Sequence, residues 1–201
     1  HFCWPSALGH DPASERLFVA DYMANRVLVF EFDGGAVQTG MNAKYVLGQD
    51  NFFDKDAGTA ANRMNVPYGV AYDGVAKRLY VSEVANNRVV TFDLGAGIVN
   101  GMAASRVLGQ PDFVSAIDGG GVGEFRGPSG LAVDGARRRL FVADSANNRI
   151  QVWDTTNLTN GAAPVTVIGQ TSLATASAGV TQSGLKMPAG LALHPNGRWL
   201  W

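Results

Sequence analysis

Residues 128–154 read PSGLAVDGARRRLFVADSANNRIQVWD, and the spacing within this stretch decides the fold. Three short apolar runs, 130–134, 139–144 and 149–154, are separated by turn residues at Gly135 and at Asn147-Asn148. The runs are rich in β-branched and aromatic residues and bounded by Gly, Asp, Asn or Pro, which is the pattern of strands. Connections this short make the three strands sequential antiparallel neighbours. A fourth run, VTVIG at 165–169, completes the set. No window of eleven or more residues carries helical periodicity.

The same stretch is written more than once. Aligned copies start at Pro5, Pro67, Pro128 and Pro188, the last one short, and the second and third copies agree at 13 of 28 positions. A second marker keeps the same phase: VLGQ at 46–49, VLGQ at 107–110 and VIGQ at 167–170. Two markers sharing one period of about 60 residues define a repeat protein, and they divide the chain into units at 5–66, 67–127, 128–187 and 188–201. Four antiparallel strands per unit is the plan of a β-propeller blade. The predicted fold is all-β, with three blades and the start of a fourth. About twenty small and polar residues follow each GQ, predicting long loops between blades.

The bulk numbers agree. The chain has 46 % hydrophobic and 16 % charged residues, and its 25 Gly among 201 residues suit many strands and tight turns. A formal net charge of −1 provides no global field for nucleic acid or an anionic membrane. A single Cys, Cys3, rules out an internal disulfide, and no run approaches eighteen apolar residues. The sequence opens HFCWPS without Met and stops at GRWLW in what reads as a strand, so both natural ends are expected to lie elsewhere.

The pattern P-x-G-L/V-A-V/Y-D, then R-L-F/Y-V-A/S-D/E, then N-N-R-I/V, resembles the NHL repeat, a propeller blade motif, over essentially the whole chain. The resemblance implies a bacterial-type NHL-repeat protein, a partial chain forming part of a ring of about six blades. It also slightly favours an extracytoplasmic or secreted location. The first unit departs from the pattern, with Ala7 for Gly and Ala24 for the first Asn, and the second carries Glu83 where the others have Asp21 and Asp144.

The repeated NNR corner has two readings. As structure, Asn tolerates the left-handed backbone of a tight turn, and the acid before it (Asp21, Glu83, Asp144) pairs with the Arg after it (Arg26, Arg88, Arg149). As a site, Asn86, Asn87, Arg88, Asn147, Asn148 and Arg149 lie on the face that also carries the long loops 50–66, 111–127 and 171–187. Ligand contact usually falls to such loops. Residues needed in every blade favour the structural reading. Gly69, Gly130 and Gly190 are expected to let inner strands approach closely. The recurring aromatics (Phe30, Phe92, Trp153; Phe18, Tyr80, Phe141) are expected to form core between blades.

Catalytic constellations are thin: there is no G-x-S-x-G, H-E-x-x-H or P-loop. No cofactor is predicted. The resemblance extends to six-bladed propeller enzymes that hold a channel metal, calcium or zinc here, with His from several blades, and His10 is the single candidate in this chain. DKDAGTA at 54–60 lacks a calcium loop's later Glu and reads as solvated. Basic residues at the turn between the first two strands (Arg16, Lys77-Arg78, Arg137 to Arg139, Arg198) ring the opposite face, but hairpin turns carry such charges for solubility. The reading is a non-catalytic scaffold binding a protein or small-molecule ligand through one face, with no nucleic-acid or membrane partner. Open blade edges leave self-association as a possible extra. The alternative is part of a six-bladed, metal-dependent lyase or hydrolase completed by other blades.

Overall fold

A computed structural model describes residues 2–32, 34–194 and 200. Its strands form three four-stranded antiparallel sheets, each in sequential order. The first blade holds β1 (Pro5–Asp11), β2 (Arg16–Asp21), β3 (Arg26–Glu31) and β4 (Tyr45–Leu47). The second holds β5 (Pro67–Asp73), β6 (Arg78–Glu83), β7 (Arg88–Asp93) and β8 (Arg106–Leu108). The third holds β9 (Pro128–Asp134), β10 (Arg139–Asp144), β11 (Arg149–Asp154) and β12 (Thr166–Ile168). The predicted all-β propeller blades are therefore present. Of the fourth unit, Ala189 receives the Gly130 amide at 2.7 Å and Leu193 bridges to Leu200. The Arg198 turn lies outside the described residues.

The first strands of neighbouring blades lie side by side, β1 against β5 and β5 against β9. Their approach depends on glycine. A Cβ on Gly69 would stand 2.2 Å from the Ser129 carbonyl, and one on Gly130 would stand 2.2 Å from that of Ala189. Gly190, read from sequence as equivalent, has open space beside it.

The core lies in the seams between blades. Phe18, Val27, Val29 and Leu47 of the first blade pack with Val70, Leu79, Val90 and Phe92 of the second. Tyr80, Val89 and Leu108 pack with Leu140, Val142 and Trp153 of the third. A third cluster, Val19, Leu28, Phe30 and Val46, faces the open front of the first blade. At roughly 25 cal/mol per Å² of apolar surface removed from water, these seams are the main cohesive force between sheets that share no strand.

Two further seam devices recur. An apolar residue three before each starting Pro rests on the marker glycine: a Cβ on Gly48 would meet Met64 at 2.5 Å, on Gly109 Phe125 at 2.2 Å, and on Gly169 Leu185 at 2.5 Å. Phe2 occupies the corresponding place in the first unit, 5.7 Å from the Phe30 ring, much as Phe125 lies 5.1 Å from Trp153. Outer strands are latched by the next blade. Val46 gives its N–H to Asn100 Oδ1 and its carbonyl to the Gly101 amide (3.0 and 3.1 Å). Val107 does the same with Asn160 and Gly161 (3.1 and 3.0 Å). These bonds occupy backbone groups that an edge strand would otherwise expose.

Candidate functional site

Each NNR corner connects the second strand of a blade to the third, and its acid and Arg face one another across the hairpin: Asp21 opposite Arg26, Glu83 opposite Arg88, Asp144 opposite Arg149. The residue just before each Arg bends into the left-handed region, with φ of 50° at Asn25, 48° at Asn87 and 55° at Asn148. Asn adopts this conformation at low cost, because its short polar side chain can bond locally.

The guanidinium then reaches into both flanking loops. Arg88 and Glu83 are fully buried, joined through Nε–Oε1 at 2.9 Å and Nη2–Oε2 at 3.3 Å. Arg88 also donates to the carbonyls of Thr59 and Arg63 in the preceding loop and to that of Phe113 in the following one. Arg149 repeats this with Asp144 at 2.8 Å, Gly121 and Glu124 on one side, and Leu173 on the other. Arg26 bonds Asp21 and the Phe52 carbonyl. A planar fork of five N–H groups suits this task, since it can bind a carboxylate and several carbonyls at once.

The amides complete the arrangement. The first Asn of the pair bonds backward: Asn86 donates to Glu83 and to the Gly58 carbonyl, and Asn147 to Asp144 and the Gly119 carbonyl. The second bonds forward. Asn87 gives its amide to Ala116 O and accepts from the Gly127 N–H just before β9; Asn25 and Asn148 repeat the pattern with Lys55 and Val66, and with Ala176 and Met187. The marker Gln closes the circuit. Gln49 bonds Asn25 O and Asp56 O, Gln110 bonds Asn87 O and Ile117 O, and Gln170 bonds Asn148 O and Ser177 O.

The six corner residues offered for binding therefore direct their polar contacts into the molecule, and Asn86, Arg88, Asn147 and Arg149 are buried. They bring the long loops together on one face, as the connectivity predicted, and hold them there. Burial pushes the Glu83 and Asp144 carboxyls up, against the pull of Arg88 and Arg149 and of the amides that donate to them. Sequence reasoning missed Gln49, Gln110 and Gln170 as functional parts of the corner, although the in-phase GQ marker was the signal that could have found them.

The face presents isolated apolar side chains among exposed charged and polar ones such as Lys55, Asp112, Asp118 and Arg126. Phe53 is 92 % exposed, Val180 87 %, Ile117 75 % and Val114 74 %, all at tips of the held loops. Beside them, an open cleft of about 990 Å³ is lined by Phe2, Leu28, Phe30, Met41, Phe52 and Lys55.

The other candidates fall elsewhere. His10 is exposed on β1, at the position from which Tyr72 of the second blade stacks on Phe18 at 5.4 Å; it faces the first blade's open front. Among the described residues, no three His, Cys, Asp or Glu side chains come together. Three of the basic turn residues form ion pairs at 2.7 to 2.8 Å: Arg16 with Glu31, Arg78 with Asp93 and Arg139 with Asp154. Hydrogen bonds from the Thr156 hydroxyl and amide, with Arg139 beside them, hold the Asp154 carboxyl down at about 2. An unfolded Asp titrates near 3.9. The folded value is the lower one, so this contribution to stability is complete above about pH 4 and disappears as pH falls towards 2. An NMR titration of the Asp154 carboxyl should give a midpoint near the folded value. A midpoint near 4 would mean that the turn bonds do not form.

Comparison with known proteins agrees with this architecture. Residues 125–153 match the NHL repeat family. The chain is 29 % identical over 168 residues to NHL repeat-containing protein 2 of Gallus gallus, covering 76 % of this chain and 21 % of that protein. It thus spans about a fifth of that relative's length. Solved structures with the same fold include hydrazine synthase of Kuenenia stuttgartiensis (TM-score 0.57, 16 % identity, 99 % of this chain and 41 % of that one). A putative 6-phosphogluconolactonase from Bacteroides uniformis scores 0.57 at 15 % identity, covering 98 % and 46 %, and a nidogen/laminin complex 0.54 at 16 %, covering 95 % and 52 %. At such identities these likenesses concern the fold alone. The blades and their corners define a β-propeller, the architecture of many interaction scaffolds. The family match over the third blade and the similarity to this relative both support the NHL-repeat family.

Proposed function

We propose that this segment is a protein-binding scaffold that engages its partner through the tips of the inter-blade loops, with the buried corners keeping those tips in place. The observation that carries this reading is the exposure of Phe53, Val114, Ile117 and Val180 on loops whose stems are fixed by buried Arg, Asn and Gln side chains. Apolar side chains that remain in water on a rigid frame mark an interaction site, because hot spots pair apolar anchors with low ordering cost. The partner's matching surface is then itself apolar at its centre.

The test compares the wild-type chain with two variants as bait in an extract of the source cells. One variant carries Phe53→Ser, Ile117→Ser and Val180→Ser; the other carries Val75→Ser, an exposed apolar residue in the turn on the opposite face. The melting midpoint should be the same in all three. A partner held by the wild type and by the Val75 variant, but released by the triple variant, supports the reading. Equal retention by all three contradicts it.

A further inference from the structure

The two seams between complete blades differ in one respect that turn-building does not explain. In the first, the back of blade one offers Phe18 and Val29, and the front of blade two offers Leu94. At the equivalent places in the second seam stand Tyr80, Thr91 and Thr155, all fully buried. The acid of the inner strand has changed its company too. In the first seam the Tyr72 phenol lies against Asp11; burial, then that carboxylate, push it up to about 12. In the second seam the residue equivalent to Tyr72 is Val133, which has no hydroxyl to offer Asp73.

Asp73 Oδ2, Tyr80 Oη, Thr91 Oγ1 and Thr155 Oγ1 are consequently buried without a hydrogen-bond partner among the described residues, four of the six such side-chain atoms found there. Asp73, Tyr80 and Thr155 belong to one locality. Burial and the Asp73 charge raise the Tyr80 hydroxyl, while Arg78 and Thr155 act on it in the opposite sense. Arg78 itself donates to the Thr155 carbonyl at 3.0 Å. The third blade's backbone comes close to this carboxylate, since a Cβ on Gly135 would stand 2.3 Å from Oδ1, which itself accepts from the Val75 and Ala76 amides.

We propose that the seam between the second and third blades binds one ordered water molecule, which accepts from the Tyr80 and Thr155 hydroxyls and donates to Asp73 Oδ2. Three polar partners are what a buried water requires, and leaving such groups unpaired costs far more than immobilising the water. A cation is the poorer occupant: the Arg78 guanidinium already lies along this seam, and its carboxylate partner is Asp93.

A high-resolution crystal structure of the chain tests the site directly. The expected result is one density peak about 2.6–3.2 Å from all three oxygens, absent from a variant carrying Tyr80→Phe and Thr155→Leu, the first seam's residues at these two places. Direct bonds among the three side chains with no peak would overturn the proposal. So would a peak with oxygen contacts of about 2.3–2.6 Å and cation coordination. In solution, Tyr80→Phe and Thr155→Leu should each lower the melting midpoint, and the double variant should lower it by less than their sum, because both serve one water. Strict additivity counts against the site.

Discussion

Arg88→Ala is expected to lower the stability of the chain by about 3–5 kcal/mol, the usual cost of removing one partner from a buried ion pair. Glu83 would keep its buried position and lose both guanidinium bonds, while the carbonyls of Thr59, Arg63 and Phe113 would lose their donor. A domain of this size has about 5–15 kcal/mol in total, so the substitution removes a large fraction of it. Urea denaturation followed by tryptophan fluorescence measures the loss. A change below about 1 kcal/mol would mean that the pair contributes no more than an exposed salt bridge does.

Phe125→Ala is expected to cost a similar amount, about 3–5 kcal/mol, for a different reason. The ring is fully buried, rests against Gly109 and packs at 5.1 Å on Trp153. Truncation opens a cavity between rigid sheets whose backbones are already in contact, so the site cannot collapse to fill it. The same substitution at Phe2, which occupies the equivalent place before the first blade but is exposed, should cost well under 1 kcal/mol, since little apolar surface is returned to water. Equal costs at the two positions would show that Phe125 is not the wedge that the seam geometry makes it.

These expectations show what could be read in the sequence. The blade strands were legible because their short runs of β-branched and aromatic residues and their turn residues are local, and the sixty-residue phase repeated them. β2, β3, β6, β7, β10 and β11 are determined by contacts within one hairpin. The corner was half legible. The opposition of Asp144 and Arg149, and the left-handed Asn148, follow from hairpin geometry. That Arg149 would also hold Gly121 and Leu173 depends on where two loops pass in space, which no local pattern encodes. The marker Gln was visible as a repeat, but its role was not: it ties a carbonyl seven residues later to one more than twenty residues earlier, and only the first of these is local. That Asn100-Gly101 latches Val46 of the preceding blade depends on a contact across the seam, which no local pattern encodes. His10 lies on an inner strand, which makes it the sequence's single candidate for a channel metal. Its side of β1 is set by the pleat, and that side faces the seam front.

The division of labour follows from energetics. Buried polar groups are worthwhile only when every donor and acceptor finds a partner, so a residue type used inside each blade is fixed by its neighbours. The loop tips escape that constraint. Phe53, Val114 and the equivalent Ala174 differ from unit to unit at one position, while the Arg beneath them stays the same.

Hydrogen exchange measured on the wild type and on Arg88→Lys tests this account most directly. Lys keeps the positive charge but replaces the fork with a single ammonium, so the pair with Glu83 can persist while the loop carbonyls lose their common donor. The account predicts that amides in 58–65 and 111–117 exchange at least about tenfold faster, with those of β6 and β7 unchanged, because the opening is local. Unchanged protection in both loops would contradict the claim that the buried arginine is what holds the loop face in place.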